Sequence, residues 1–177
     1  MIPDQARDDG RAPLIVTAEL PGDLQGWAER LRQAHYPAER NRVAAHVTLF
    51  HALPPSCEDE LRDELARLAR EISPVPARLE GVFSLGRGTA LRIVSAGMLQ
   101  LRAALAERFS GLLTAQDAAA PRLHVTVQNK VSAAEAKALQ GKLSRQLRPR
   151  DFRFAGLALH RYLGGPWDSV KRWSFRG

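Results

Sequence analysis

The chain has 177 residues, 45% hydrophobic and 25% charged, with a formal charge of +7, a globular balance that allows one sizeable core or two small intertwined lobes. No apolar run nears the roughly 18 residues of a membrane-spanning helix, and a single cysteine, Cys57, excludes an internal disulfide and suits a reducing cytoplasm. Nearly all the positive charge is arginine, the better bidentate partner for phosphate, so the composition fits an anionic ligand as well as a solvated basic surface.

The opening MIPDQARDDGRAP lacks the basic start and apolar run of a signal peptide and is expected to be a flexible tail over residues 1–12. PLIVTAEL (13–20) reads as a strand. GDLQGWAERLRQAHY follows as a helix, with Leu24, Trp27, Leu31 and Ala34 at helical spacing and Asp23 as N-cap. RVAAHVTLFHAL (42–53) is a strand ended by Pro54 and Pro55. SCEDELRDELARLAREI (56–72) is an amphipathic helix capped by Ser56, with Leu61, Leu65, Leu68 and Ile72 on one face and early acids that suit the helix dipole. SPVPA is a linker, and residues 78–96 form two strands about the turn GRGT. Residues 98–113 form a helix with Leu101, Leu105 and Phe109 inward. PRLHVTVQNK (121–130) is a strand, and 132–147 is a helix opened by a Ser132–Glu135 capping box. FRFAGLALHRYL (152–163) alternates as one strand, and the last residues make a turn and a short strand.

The same order therefore occurs twice: strand, helix, strand bearing His-Val-Thr, helix. The tripeptide starts at His46 and again at His124. With five His and five Thr, chance gives about 0.14 His-x-Thr in such a chain, so two at matching places mark an internal repeat. In a strand, residues i and i+2 share a face. His46 then stands beside Thr48 and His124 beside Thr126, while Val47 and Val125 point into the core. A pseudo-twofold axis would gather the four side chains. Such a ring suits phosphodiester chemistry: one neutral imidazole takes a proton, the other, protonated, gives one to the leaving oxygen, and the hydroxyls donate to the non-bridging oxygens. No carboxylate or thiolate accompanies the histidines, a poor ligand set for zinc.

On HVTL and HVTV, with their spacing and lobe order, residues 13–177 resemble the two-histidine (2H) phosphoesterase superfamily, which includes 2′-5′ RNA ligase-like proteins and cyclic nucleotide phosphodiesterases. The family often places Arg-Pro just before the histidine; here Arg122 precedes the second motif and Ala44-Ala45 the first. The resemblance implies an α+β fold, a bilobal pseudo-twofold repeat with two antiparallel-rich sheets facing a central cleft and helices outside. It implies one domain over 13–177, with lobes near 13–74 and 75–177 and strands exchanged between them. It implies His46, Thr48, His124 and Thr126 as the catalytic four. Substrates would be 2′,3′-cyclic phosphates or 2′-5′ linkages of RNA ends or nucleotides, with no cofactor, no metal and no membrane, in a cytoplasmic monomer. Whether hydrolysis or ligation is the working direction stays open.

Further candidates come from the residues themselves. Phe50 continues the His46 face and would stack on a base. Gln128 and Lys130 continue the His124 face, with Lys130 at the cleft edge. In HRYLGGPW, Arg161 or Tyr162 would contact a ligand and Trp167 would pack. His35 and His51 read as bystanders. The rival function is a non-catalytic module that grips an RNA or nucleotide phosphate in the same cleft.

Overall fold

The run Leu14–Glu19 forms the first strand, β1, and five of its successive residues are buried. An apolar run with no alternation belongs inside a sheet covered on both faces, and β1 lies between β2 (Val47–Leu53) and β7 (Gly156–Tyr162). The computed structural model describes residues 10–177, so the tail expected over 1–12 lies outside the described residues as far as residue 9. The other strands are β3 (Val75–Ser84), β4 (Thr89–Val94), β5 (His124–Gln128), β6 (Arg150–Phe154) and β8 (Trp167–Ser174). The helices are α1 (Gly22–His35), α2 (Glu58–Glu71), α3 (Ala96–Arg108), α4 (Ala115–Ala118) and α5 (Ala133–Gln146).

Two four-stranded antiparallel sheets result, in the orders β2-β1-β7-β8 and β5-β4-β3-β6. The repeat is visible in them: β1-α1-β2-α2 and β4-α3-β5-α5 occupy matching places. Both His-Val-Thr strands lie at a sheet edge, and the two edges meet. One apolar cluster runs through both halves.

Several local expectations change. The strand read over 152–163 is two strands in different sheets. Phe152 and Phe154 meet edge to face on the second sheet, the chain crosses at Ala155, and Leu157 to Leu159, all fully buried, pair between β1 and β8. The final strand is eight residues long, not short. The strand expected from residue 42 starts at Val47. Side chains of α1 take the ladder groups just ahead of it: Gln25 donates to the Ala45 carbonyl (2.8 Å), and the Ala45 amide donates to Glu29. The linker SPVPA contributes Val75, Pro76 and Ala77 to β3.

Caps change as well. Pro21, not Asp23, precedes α1, and Asp23 binds Arg150 (2.7 Å) from the first turn. Ser56 lies in a 3₁₀ turn, and Cys57 holds the N-cap position of α2, its thiol donating to the Pro54 carbonyl. The Ser132–Glu135 capping box opens α5 as read. The inward face of α1 carries Leu24, Ala28 and Arg32, and Ala34 is exposed. Among the described residues no helix is long and apolar enough to cross a membrane.

Gly156 stands where the chain enters β7. A β-carbon there would overlap the Trp173 carbonyl oxygen of β8. Gly156→Ala is expected to lower the unfolding free energy by about 1–3 kcal/mol, read from urea midpoints. Gly22→Ala, whose added carbon meets open space, should leave the midpoint nearly in place.

Candidate active site

His46 ends the approach to β2 and His124 opens β5; with Thr48 and Thr126 all four are half-buried, while Val47 and Val125 are buried beneath them. Each strand then carries an extra residue. Thr48 pairs with Thr17 but Phe50 with Val16, leaving Leu49 unmatched. Thr126 pairs with Ala90 but Gln128 with Thr89, leaving Val127 unmatched. These are β-bulges at equivalent points of the repeat, and a bulge shifts the alternation of faces by one.

That shift overturns two expectations. Phe50 does not share the His46 face; it is buried under the Arg102 guanidinium, 4.5 Å from its ring centre. Gln128 does not share the His124 face; it is buried and accepts a hydrogen bond from the Thr89 hydroxyl (2.9 Å). Lys130 is past the end of β5 in a left-handed backbone conformation (φ 58°), beside the 85–88 turn, and not on the His124 face.

The two imidazoles are held alike. His46 Nδ1 lies 2.7 Å from the Ala44 carbonyl oxygen, and His124 Nδ1 lies 2.6 Å from that of Arg122. A carbonyl only accepts, so Nδ1 carries the proton and Nε2 is left as the free atom of each ring. Burial pulls His46 down to about 4, with Arg32, His160 and His124 adding repulsion of a positive ring. Burial also lowers His124, helped by the nearby His51 and Arg122. Both rings are therefore neutral in the unliganded protein near pH 7.

A cavity of about 430 Å³ opens beside His46 on the first sheet. Its wall holds groups the sequence reading passed over. The Thr17 hydroxyl and His160 Nε2 are 3.1 Å apart. The Trp167 ring is 4.5 Å from His46 and 5.2 Å from His160, so it does pack, but against two histidines at the site. Burial, then Arg172, lowers His160 to about 4. The period-2 phase of LALHRYL carried the signal. His160 faces the cavity, so Arg161 faces away and binds Glu58 (2.8 Å and 2.9 Å) at the start of α2. Tyr162 is on the His160 face but exposed and outside the cavity lining. Neither of these two expected contacts is in the cavity of His46.

Two buried arginines tie the halves together. Arg32 of α1 donates through Nη1 to the Thr126 carbonyl (2.7 Å) and through Nε to Asn41 (3.1 Å). Arg102 of α3 donates through Nε to the Leu49 carbonyl (3.1 Å) and through Nη2 to that of Asp117. Each helix thus grips the bulged strand of the other half. Asp117, fully buried, accepts from the His51 amide (2.8 Å), the Ala52 amide (2.9 Å) and His51 Nδ1 (3.1 Å). Burial would raise its carboxyl, but these bonds hold it below the usual carboxylate range. His51 is thereby a strut at the edge of β2. His35 borders a separate cavity with Lys142. Among the described residues, no three His, Cys, Asp or Glu side chains gather as a metal-ligand set.

A family model described as the 2′-5′ RNA ligase superfamily matches residues 20–166. The structure of TT0787 from Thermus thermophilus superposes with a TM-score of 0.61 at 20% identity, covering 93% of this chain and 98% of that one. E. coli LigT complexed with 3′-AMP gives 0.55 at 20% identity over 94% and 99%. The same protein complexed with NADP+ gives 0.59 at 20% identity over the same shares. At these identities the likeness is one of fold. No curated protein matches the sequence.

His46 and His160 sit at about 4 when folded, against an ordinary 6.5. Below 6.5 the unfolded chain takes up protons that the folded chain refuses, so stability is complete above that pH and declines as pH falls towards 4. Urea titrations across this window should show the decline, and His160→Asn should flatten it. Separately, Arg32→Met leaves the Thr126 carbonyl without its donor and is expected to cost about 1–3 kcal/mol. It also removes a cation near His46, so the His46 proton-binding midpoint followed by NMR should rise.

Proposed function

We propose that this chain, which belongs to the 2′-5′ RNA ligase superfamily, is a metal-independent phosphoesterase acting on 2′,3′-cyclic phosphates or 2′-5′ linkages of RNA ends or nucleotides. The observation that carries the reading is the matched pair of imidazoles, each with Nδ1–H tied to the carbonyl two residues back and Nε2 free. They are near enough for a charge on His124 to depress His46. A binder of phosphate has no need of two rings tied back in the same way.

In this reading a phosphodiester monoanion enters between the histidines and draws a proton onto the pair. In this order of steps, His124 takes that proton and His46 stays neutral. His46 Nε2 then takes a proton from the attacking water. The new phosphorus–oxygen bond forms as the bond to one ribose oxygen breaks, and His124 delivers its proton to that oxygen. Thr48 and Thr126 hydroxyls donate to the non-bridging oxygens as charge builds there. The pair ends with its proton on His46 and returns it through solvent. That E. coli LigT is solved with 3′-AMP, one of the two monoesters formed when the corresponding 2′,3′-cyclic phosphate opens, supports a nucleotide as the ligand class.

The test is turnover of 2′,3′-cyclic nucleotides and a 2′-5′-linked dinucleotide with EDTA present. Activity should survive the chelator and fall by about 10²–10⁴ in His46→Ala and in His124→Ala. Absence of turnover, with nucleotide affinity unchanged in both variants, would leave a binding module instead.

The pH dependence is a second check. Both free rings sit below the ordinary imidazole value, while a bound anion raises them. The bell for kcat/KM, which reports the free protein, should therefore lie at lower pH than the bell for kcat.

A further inference from the structure

Beside His124 stands a cluster that the proposed chemistry leaves unused. Phe83 of β3 is half-buried, its ring edge-on to His124 at 5.5 Å between centres. Two guanidiniums rest on it: Arg122 at 4.3 Å and Arg92 at 5.5 Å from the ring centre. Arg92 is the direct cross-strand partner of His124, so both project from one face of the second sheet. Both arginines are exposed, and among the described residues no carboxylate pairs with either.

The two walls of the site differ in this respect. Beside His46 the ring is Trp167; of the two arginines lining that cavity, Arg172 is bound to Glu19 (3.2 Å), and among the described residues neither it nor Arg42 lies over an aromatic ring. Arg32 and Arg102 are buried and spent on backbone carbonyls. One phosphodiester monoanion, held by two imidazoles and two hydroxyls, does not call for two further cations gathered on one aromatic ring. The Phe83 ring draws both guanidiniums to one place before any ligand arrives, Arg122 closely and Arg92 more loosely, so less freedom is lost when they meet a phosphate.

We propose that Arg92 and Arg122, gathered over Phe83, form a second anion site on the His124 side that takes the neighbouring phosphodiester of an RNA chain end. This rests on the phosphoesterase reading above. In an RNA end with a 2′,3′-cyclic phosphate, the next phosphate is on the 5′ oxygen of the same nucleoside, one nucleotide away. The site would then select chain ends over mononucleotides.

Calorimetric binding of three ligands tests this: 3′-AMP, adenosine 3′,5′-bisphosphate and the dinucleotide ApAp with a 3′-phosphate. The dinucleotide is expected to bind the wild-type protein about tenfold tighter than 3′-AMP, an advantage that shrinks with added salt. Arg92→Gln should remove most of that advantage while 3′-AMP affinity moves far less. Phe83→Leu, which unstacks the guanidiniums without deleting them, should act in the same direction. Equal affinity for all three ligands overturns the inference, as does an equal loss for all three in Arg92→Gln. An advantage confined to the bisphosphate overturns the RNA assignment and gives the site to a terminal phosphate. If the wild type prefers the dinucleotide but turns over no cyclic phosphate, the second site stands and the catalytic reading falls.

Discussion

Arg32 and Arg102 hold the two halves of this protein in register. Each leaves a helix of one half, crosses the boundary while buried, and donates to the backbone of the other half's His-Val-Thr strand. Arg32 is held in this role by carbonyl and amide oxygens, and its guanidinium lies over the Tyr36 ring. A buried guanidinium without these acceptors would be an unpaired charge in a poor solvent for it. Moving the halves apart would strand both donors and both carbonyls at once. The spacing of the two edge strands is therefore set by two short, directional, charge-assisted bonds, and the spacing of the imidazoles follows from it. The arginines sit on α1 and α3, which are equivalent in the repeat. Reciprocity is what a pseudo-twofold demands of a contact that crosses its own axis.

Arg32 also shapes the electrostatics. A cation that cannot give up its proton lies near His46 and, with burial, keeps that ring neutral. His160 and His124 are held neutral chiefly by burial as well. The site is a group of uncharged imidazoles inside a protein of formal charge +7, and a nearby anion would raise the affinity of these rings for a proton. In the proposed reaction, protonation and anion binding are therefore coupled.

The repeated tripeptide was legible because its message is local. Two side chains two apart on a strand share a face whatever surrounds them, and Val47 and Val125 are buried as that rule requires. The rule failed two residues later in both halves, for one cause. The bulges at Leu49 and Val127 turn Phe50 and Gln128 to the opposite face, and no residue in LFH or VQN signals an extra unpaired position. The capping box at Ser132 was legible for the same local reason. The crossing at Ala155 was not, since FRFAGLALHRYL keeps an apolar character straight through it and only the partners of each half differ. In HRYLGGPW the right segment stood out, but the choice among its residues depended on the phase of β7 against β1.

The sequence by itself determined the repeat, the α+β class and the four side chains of the two His-Val-Thr motifs, because periodicity and spacing are properties of a chain in one dimension. Tertiary structure decided what surrounds them. His160 and Trp167 reach the wall beside His46, next to Thr17 of β1, only because β7 and β8 return to the first sheet after the chain has built the second. Arg32 and Arg102 look like helix-surface arginines until the opposite half supplies carbonyls for them. Burial, the largest cause of the lowered proton affinity of all three histidines, exists only in the folded chain.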